Sequence, residues 1–150
     1  MILPGCRAVR MTAAHLRSTA ELERLVFSEP WSEKSLELLV SQAAVGFAVT
    51  DGDRVIAYGG MLYACDEGQI TNIAVHPDHR RAGLGSCILQ ALLDHAAQKQ
   101  LEQISLEVRV SNEAARAMYL RAGFTEEGVR RRFYRNPVED ALVMLKKIAE

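Results

Sequence analysis

The sequence predicts an α/β (α+β) domain. Its core is a mixed, mostly antiparallel sheet of about seven strands, flanked by about four helices. Three observations predict this. The apolar period is helical near the start, switches to strand-like alternation from Gly46, and returns to helical after Gly83. Three strands in succession are joined by turns too short for crossovers, so they are antiparallel neighbours. A helix then separates the third strand from a fourth, and that strand–helix–strand unit makes one parallel pair with a right-handed crossover. The chain has 150 residues, which predicts a single domain spanning 1–150.

Each element has its own signal. Ala8-Val9-Arg10-Met11 reads as a short first strand. Thr12 caps a helix that Leu16, Ala20, Glu23, Leu25, Val26 and Phe27 carry to about Ser28. Pro30 stops it. Ser32 caps a second helix, with Leu36, Leu39 and Val40 at helical spacing. Residues 46–50 form a strand, Asp51-Gly52-Asp53 a turn, and residues 55–63 the next strand. Asp66-Glu67-Gly68 reads as a turn before a third strand at 69–75, ended by His76-Pro77. A Gly-rich turn opens a helix running to about Lys99, whose Leu84, Ile88, Ala91, Leu92 and Ala96 share one stripe. Residues 104–110 are the strand parallel to 69–75. Asn112 caps a helix ended by Gly123, and 124–134 and 140–148 close the sheet as strands.

Composition excludes several function classes. Hydrophobic residues are 49% and charged residues 25%, a globular balance. Lys plus Arg is 18 against 19 for Asp plus Glu, so no overall basic charge holds the chain to nucleic acid. Cys6, Cys65 and Cys87 are far apart and lack zinc spacing; they read as reduced thiols, mostly core filler. No apolar run reaches a membrane span, and residues 1–4 have no signal-peptide pattern. The expected location is the cytoplasm.

The strongest local signal follows Val75. Arg80-Arg81-Ala82-Gly83-Leu84-Gly85-Ser86 joins two arginines to a flexible backbone at a helix N-terminus. Free N–H groups, the helix dipole and positive charge together suit a pyrophosphate. A tight loop with two solvated arginines is the plain alternative. There is no P-loop pattern, and Gly83-x-Gly85-x-x-Ile88 lacks the third glycine of a dinucleotide fingerprint. The turn also follows an antiparallel meander rather than the first strand of a doubly wound sheet.

Glu107 is the second signal. Ile104, Leu106, Val108 and Val110 share one face of their strand, while Ser105, Glu107 and Arg109 share the other. A carboxylate on an inner strand needs a partner or a cleft. A Glu–Arg pair on a solvated face would also satisfy the pattern. Asn112 and Tyr119 lie on one helix face; a cap and a half-buried aromatic are their structural roles. His76-x-x-His79 has no further partner at ligand spacing, so no metal is expected. Arg130-Arg131-Arg132 and Arg135 make a basic cluster that suits a solvated face, RNA or an acceptor peptide.

Arg80-Arg81-Ala82-Gly83-Leu84-Gly85 resembles the [Q/R]-x-x-G-x-[G/A] acetyl-CoA signature of the GNAT superfamily of N-acetyltransferases, and the order of elements resembles that fold over nearly the whole chain. Further segments are similar to the bacterial ribosomal-protein-alanine branch of that superfamily. These are 27–32, Asn72-Ile73-Ala74-Val75, 106–109, Ser111-Asn112, Met118-Tyr119, Gly123-Phe124, Arg131-Arg132-x-Tyr134 and Pro137-x-Glu139-Asp140-Ala141. The resemblance implies a splayed central parallel pair. It implies acetyl-CoA as cosubstrate and no metal. The contacts to acetyl-CoA would come from Ile73, Ala74, Val75, Arg80, Arg81, Ala82, Gly83, Leu84, Gly85, Ser86 and Asn112. Glu107 would be the general base, and Tyr119 the acid that protonates the leaving thiolate. Trp31, Tyr134, Glu139 and Asp140 would meet the acceptor. That acceptor would be a protein N-terminus, the alanine of a small-subunit ribosomal protein, with no membrane and no dedicated nucleic-acid site. A small amine or a lysine side chain is the alternative acceptor, and a non-catalytic acyl-CoA-binding module the alternative class.

Overall fold

A computed structural model describes residues 7–148. Seven strands form one sheet: β1 (Val9–Arg10), β2 (Ala44–Asp51), β3 (Arg54–Ala64), β4 (Glu67–Val75), β5 (Gln103–Arg109), β6 (Thr125–Arg135) and β7 (Val138–Lys147). Their spatial order is β1-β2-β3-β4-β5-β7-β6. Only β4 and β5 run parallel; every other neighbouring pair is antiparallel. The mixed sheet with one inner parallel pair is therefore as the sequence predicts.

Four helices cover it: α1 (Leu16–Val26), α2 (Glu33–Leu36), α3 (Leu84–Gln98) and α4 (Glu113–Arg121). One face of the sheet packs on α3 and α4 through Ile88, Leu92, Ile104, Leu106, Val108, Tyr119 and Phe124. The other face packs on α1 and α2 through Leu16, Ala20, Leu36, Leu39, Tyr58 and Ala74. Thr12 opens a 3₁₀ turn, Ala13–His15, ahead of α1 rather than capping α1 itself, while the other two expected caps form: Ser32 accepts from the Ser35 N–H at 3.1 Å, and Asn112 from the Ala115 N–H at 3.2 Å. Each satisfies one otherwise orphaned N–H of a first helical turn.

Several details differ from the sequence reading, among them strand bounds: β2 begins at Ala44 and β7 at Val138. The second helix is one α-turn that tightens into a 3₁₀ segment, Glu37–Val40. Glu67 and Gly68 already belong to β4, because the turn is made by Cys65, at φ 56°, and Asp66. Cys87 is disulfide-bonded and buried, which corrects its reading as a reduced thiol; distance along the chain says nothing about distance in the fold. Cys65 is free and exposed, and Cys6 lies outside the described residues. Among the described residues no helix is long and apolar enough to cross a membrane.

Candidate active site

The site begins where two strands part. β4 pairs with β3 along its length, but with β5 only at Glu67–Gln103, Gly68–Ile104 and Gln69–Ser105. Among the described residues, the β5-facing edge of β4 has no strand partner from Ile70 to Val75. Within that stretch β4 carries a bulge: Gly59 pairs with Ile73 and Met61 with Ile70, so Thr71 and Asn72 together oppose Gly60. An extra residue bends its strand and re-aims the side chains around it. Gly60 permits the bulge, since a Cβ there would lie 2.7 Å from the Leu39 methyls and 2.8 Å from Thr71 Oγ1. The freed N–H and C=O groups around Ile73, Ala74 and Val75 need partners, which an extended ligand arm can supply.

The Gly-rich turn lies at the end of the same strand. Arg81 has φ 67° and Gly83, the N-cap of α3, has φ 77°. These left-handed residues bend the chain so that successive N–H groups face outward. Cys87 is the first residue of α3 whose N–H meets a helical carbonyl, that of Gly83 at 3.0 Å. The N–H groups of Leu84, Gly85 and Ser86 therefore point out of the helix end. Arg80, Arg81 and Ala82 are exposed around them. A Cβ on Gly85 would come 3.2 Å from Met118 Sδ and 3.7 Å from Val75, so this glycine seats the helix start against β4 and α4. Backbone donors, positive charge and an open strand edge fit the pyrophosphate and amide arm of a coenzyme A thioester.

Glu107 faces the opening from the α1–α2 side of the sheet, alternating with the buried Leu106 and Val108. Its side chain is 13% exposed. Oε1 accepts from Gln69 Nε2 at 3.1 Å, and Oε2 lies 3.3 Å from Arg130 Nε. The carboxylate thus has an arginine partner, yet its low exposure sets it apart from a solvated face. Tyr119 approaches from the opposite face, 5% exposed, its ring edge-on to Phe124 with centroids 5.5 Å apart. Burial, and then the neighbouring Tyr134, raise the Tyr119 phenol well above its ordinary value. Among the described residues no group accepts its hydroxyl proton. Burial and then the Glu107 carboxylate push Tyr134 up to about 12, with Arg109 pulling the other way. Glu107, Tyr119 and Tyr134 therefore share one electrostatic neighbourhood, although they come from β5, α4 and β6.

The residues expected to meet the acceptor come from two segments that are tied together as one arch. Ser28 Oγ donates to the Asn136 carbonyl, and Glu29 Oε1 accepts from the N–H groups of Arg135 at 3.1 Å and Asn136 at 3.3 Å. These bonds tie the α1–α2 connection, which carries Trp31, to the β6–β7 hairpin, which carries Tyr134. Glu139 is committed inside the arch: Oε1 pairs with Arg109 at 3.1 Å, and Oε2 accepts from the Ser111 N–H at 2.7 Å. Those bonds, Ser111's first and then Arg109's, hold its carboxyl below its ordinary value. Asp140 Oδ1 accepts from the N–H of Arg132, whose φ is 54°. Pro30, Trp31, Ser32, Ser35 and Leu38 line an open hollow beside the α1–α2 connection.

Two residues of this neighbourhood carry more than the sequence reading assigned. Arg109, which the sequence places only on the Glu107 face of its strand, braces the hairpin through Pro137, Asn136 and Glu139. Glu23 is a fully buried carboxylate. Its spacing from Leu16 and Ala20 was the available signal, because i, i+4, i+7 puts it on the buried stripe. Asn112 acts as the α4 cap, and His76 Nδ1 accepts from the Asp78 N–H at 3.1 Å.

Comparison with known proteins places this geometry in a family. Residues 16–124 match the model of the Acetyltransferase (GNAT) family. The chain is 34% identical over 132 residues to a putative [ribosomal protein bS18]-alanine N-acetyltransferase of Bacillus subtilis, covering 87% of each chain. It is 34% identical over 136 residues to the [ribosomal protein bS18]-alanine N-acetyltransferase of Escherichia coli K12, covering 89% of this chain and 92% of that one. The crystal structure of the ribosomal-protein-S18-alanine N-acetyltransferase from Escherichia coli superimposes with a TM-score of 0.88 at 32% identity, covering 96% and 94% of the two chains. With the family matched over most of the chain and the fold shared throughout, this protein belongs to the GNAT family of acetyltransferases.

Proposed function

We propose that this enzyme transfers the acetyl group of acetyl-CoA to the N-terminal α-amine of a protein, and that its acceptor is the N-terminal alanine of a small-subunit ribosomal protein. One observation carries the reading: a carboxylate, Glu107, lies on β5 where β4 and β5 part, and its charge acts on Tyr134 of the hairpin that is tied to the Trp31 segment. The curated relatives, named for alanine acetylation of ribosomal protein bS18, support the choice of acceptor.

Acetyl-CoA supplies the thioester carbonyl that the amine attacks. The outward N–H groups of Leu84–Ser86, with Arg80 and Arg81, hold its pyrophosphate; the open edge at Ile73–Val75 pairs with its amide arm. Asn112 adds a contact from the start of α4. An α-amine has an ordinary pKa of about 7.7–8.0, so a large share is protonated at neutral pH. Glu107 removes that proton, directly or through one water. The neutral amine attacks, and a backbone N–H near Val75 stabilises the oxyanion. As the carbon–sulfur bond breaks, Tyr119 gives its phenolic proton to the thiolate, and the nitrogen's surplus proton, released through water, restores the phenol. Burial keeps that phenol protonated until a stronger base appears beside it. No covalent enzyme intermediate is needed.

Trp31 and Tyr134 form the walls that admit a small first side chain. Glu139 serves them through Arg109, and Asp140 through the Arg132 backbone, leaving part of the acidic turn to face a basic residue further along the peptide. A lysine ε-amine, with an ordinary pKa of about 10.4, is far less often neutral and asks more of a single carboxylate base. The test compares Ala-starting peptides, N-blocked peptides with one lysine, and free polyamines at equal concentration. The highest kcat/KM is expected for the Ala-starting peptide. The highest value for a blocked lysine peptide or a polyamine would replace this reading with a side-chain or small-amine acetyltransferase. Acetyl-CoA binding without turnover on any acceptor would make the chain a binding module.

A further inference from the structure

Glu23 has no part in the chemistry above, yet its placement is costly. It lies on α1, fully buried, and among the described residues no Lys, Arg or His pairs with it. Burial raises its carboxyl above the ordinary value, although three hydrogen bonds pull the other way. Those bonds come from three separate elements. The Trp31 N–H donates to Oε1 at 2.8 Å; the Tyr58 hydroxyl, from β3, and Asn72 Nδ2 at 3.1 Å both donate to Oε2. An apolar side chain would fill this core position at lower cost, since a buried charge without a counter-ion is unfavourable.

The three donors share one property. Trp31 opens the acceptor-side arch beyond Pro30. Asn72 is half of the β4 bulge, immediately before the open edge at Ile73–Val75. Tyr58 pairs with Ala74 across the β3–β4 ladder, on the same stretch of β4. Glu23 therefore joins the acceptor wall to the strand that faces the acyl donor, and it does so with an acceptor-only group matched to three donors.

We propose that Glu23 is a positioning residue for the acceptor: its carboxylate sets the distance between the Trp31 wall and the bulged edge of β4, and thereby the seat of the incoming amine. This rests on the acceptor-side assignment made above. Glu23 touches neither substrate. It acts through the Trp31 backbone and the Asn72 side chain.

The test uses the full chain and an Ala-starting peptide. Glu23→Gln keeps the shape but turns one acceptor into a donor, which must then face Trp31 N–H or the Tyr58 and Asn72 donors. The peptide KM is expected to rise about tenfold, the scale of losing a hydrogen bond to a charged group. Acetyl-CoA affinity should stay within about twofold and kcat within about threefold, because the cofactor turn and Glu107 are untouched. In a Trp31→Ala background the same substitution should add little to KM, since the wall it positions is gone. Asn72→Ala, which cuts only the link to β4, should raise the peptide KM by a smaller factor and serves if Glu23→Gln does not fold. A lower melting temperature with an unchanged peptide KM, or equal KM effects with and without Trp31, would overturn the proposal. If the wild-type enzyme leaves the Ala-starting peptide unmodified, the functional reading itself fails, a different result from either of these.

Discussion

The guanidinium of Arg109 lies 4.3 Å from the centre of the Tyr134 ring while Nη1 of the same group bonds Glu139 Oε1 at 3.1 Å and the Pro137 carbonyl at 2.9 Å. One planar cation thus fixes both the face of an aromatic side chain and the turn that carries it. A lysine ammonium cannot reproduce that geometry, having no flat fork to stack and bond at once.

Arg109→Lys is therefore expected to loosen the β6–β7 hairpin without touching the Gly-rich turn proposed to hold the cofactor. The peptide KM should rise about tenfold, while coenzyme A affinity measured by titration calorimetry stays unchanged. A parallel loss of coenzyme A affinity would mean that Arg109 supports the whole opening rather than the acceptor wall.

Gly83→Asp should nearly abolish acetyl-CoA binding. The residue sits at φ 77°, where a side chain is strained, and the new carboxylate would stand at the helix end proposed to receive phosphate. Calorimetry on the folded variant checks this; retained affinity would remove the turn from the cofactor site.

Tyr119→Phe should leave the fold intact, since the ring keeps its contact with Phe124, but lower kcat. The deficit should shrink with an acetyl thioester of a more acidic thiol, whose thiolate leaves without help. An equal deficit for both donors would indicate a packing role alone.

Two carboxylates predict opposite pH trends in stability. Glu139 is held below its ordinary value of 4.5, so the folded state releases its proton more readily than the unfolded chain. Its stabilisation is present above 4.5 and is lost as pH falls through the lowered value. Glu23 is raised above 4.5, so the folded state binds its proton more tightly. Its contribution is greatest below 4.5 and declines as pH rises through the raised value. Urea unfolding across this range should show Glu139→Gln flattening the acid limb, and the stability gap between wild type and Glu23→Gln narrowing as pH rises. A gap that widens would reverse the assigned shift at Glu23.

The sequence made the sheet legible because its signals are local. The meander reads from Asp51-Gly52-Asp53, the parallel pair from the intervening helix stripe, and the α4 boundary from Asn112 and Gly123, which adopts φ 98°. The strand-face arithmetic put Glu107 opposite the core residues Ile104, Leu106 and Val108, where it stands. What escaped was long-range. Nothing near Ser28 or Glu29 announces that they bond Asn136 and Arg135, more than a hundred residues away. The bulge left one trace, the Gly59-Gly60 pair, whose Gly60 lies opposite Thr71 and Asn72, because adjacent glycines inside a strand mark close backbone approach. Glu23 reads as one more position of a helical pattern, and only its charge on a buried stripe sets it apart.

The central claim is that Glu107, in the opening between β4 and β5, takes the proton from the acceptor amine. Single-turnover acetylation of an Ala-starting peptide by Glu107→Gln, at saturating acetyl-CoA and neutral pH, tests it most directly. The account predicts a rate about 10²–10⁴-fold below wild type, the usual scale for a lost general base, with coenzyme A affinity within a few-fold. A Glu107→Gln enzyme that acetylates the peptide at the wild-type rate would contradict it, and would assign proton removal to another group or to bulk water.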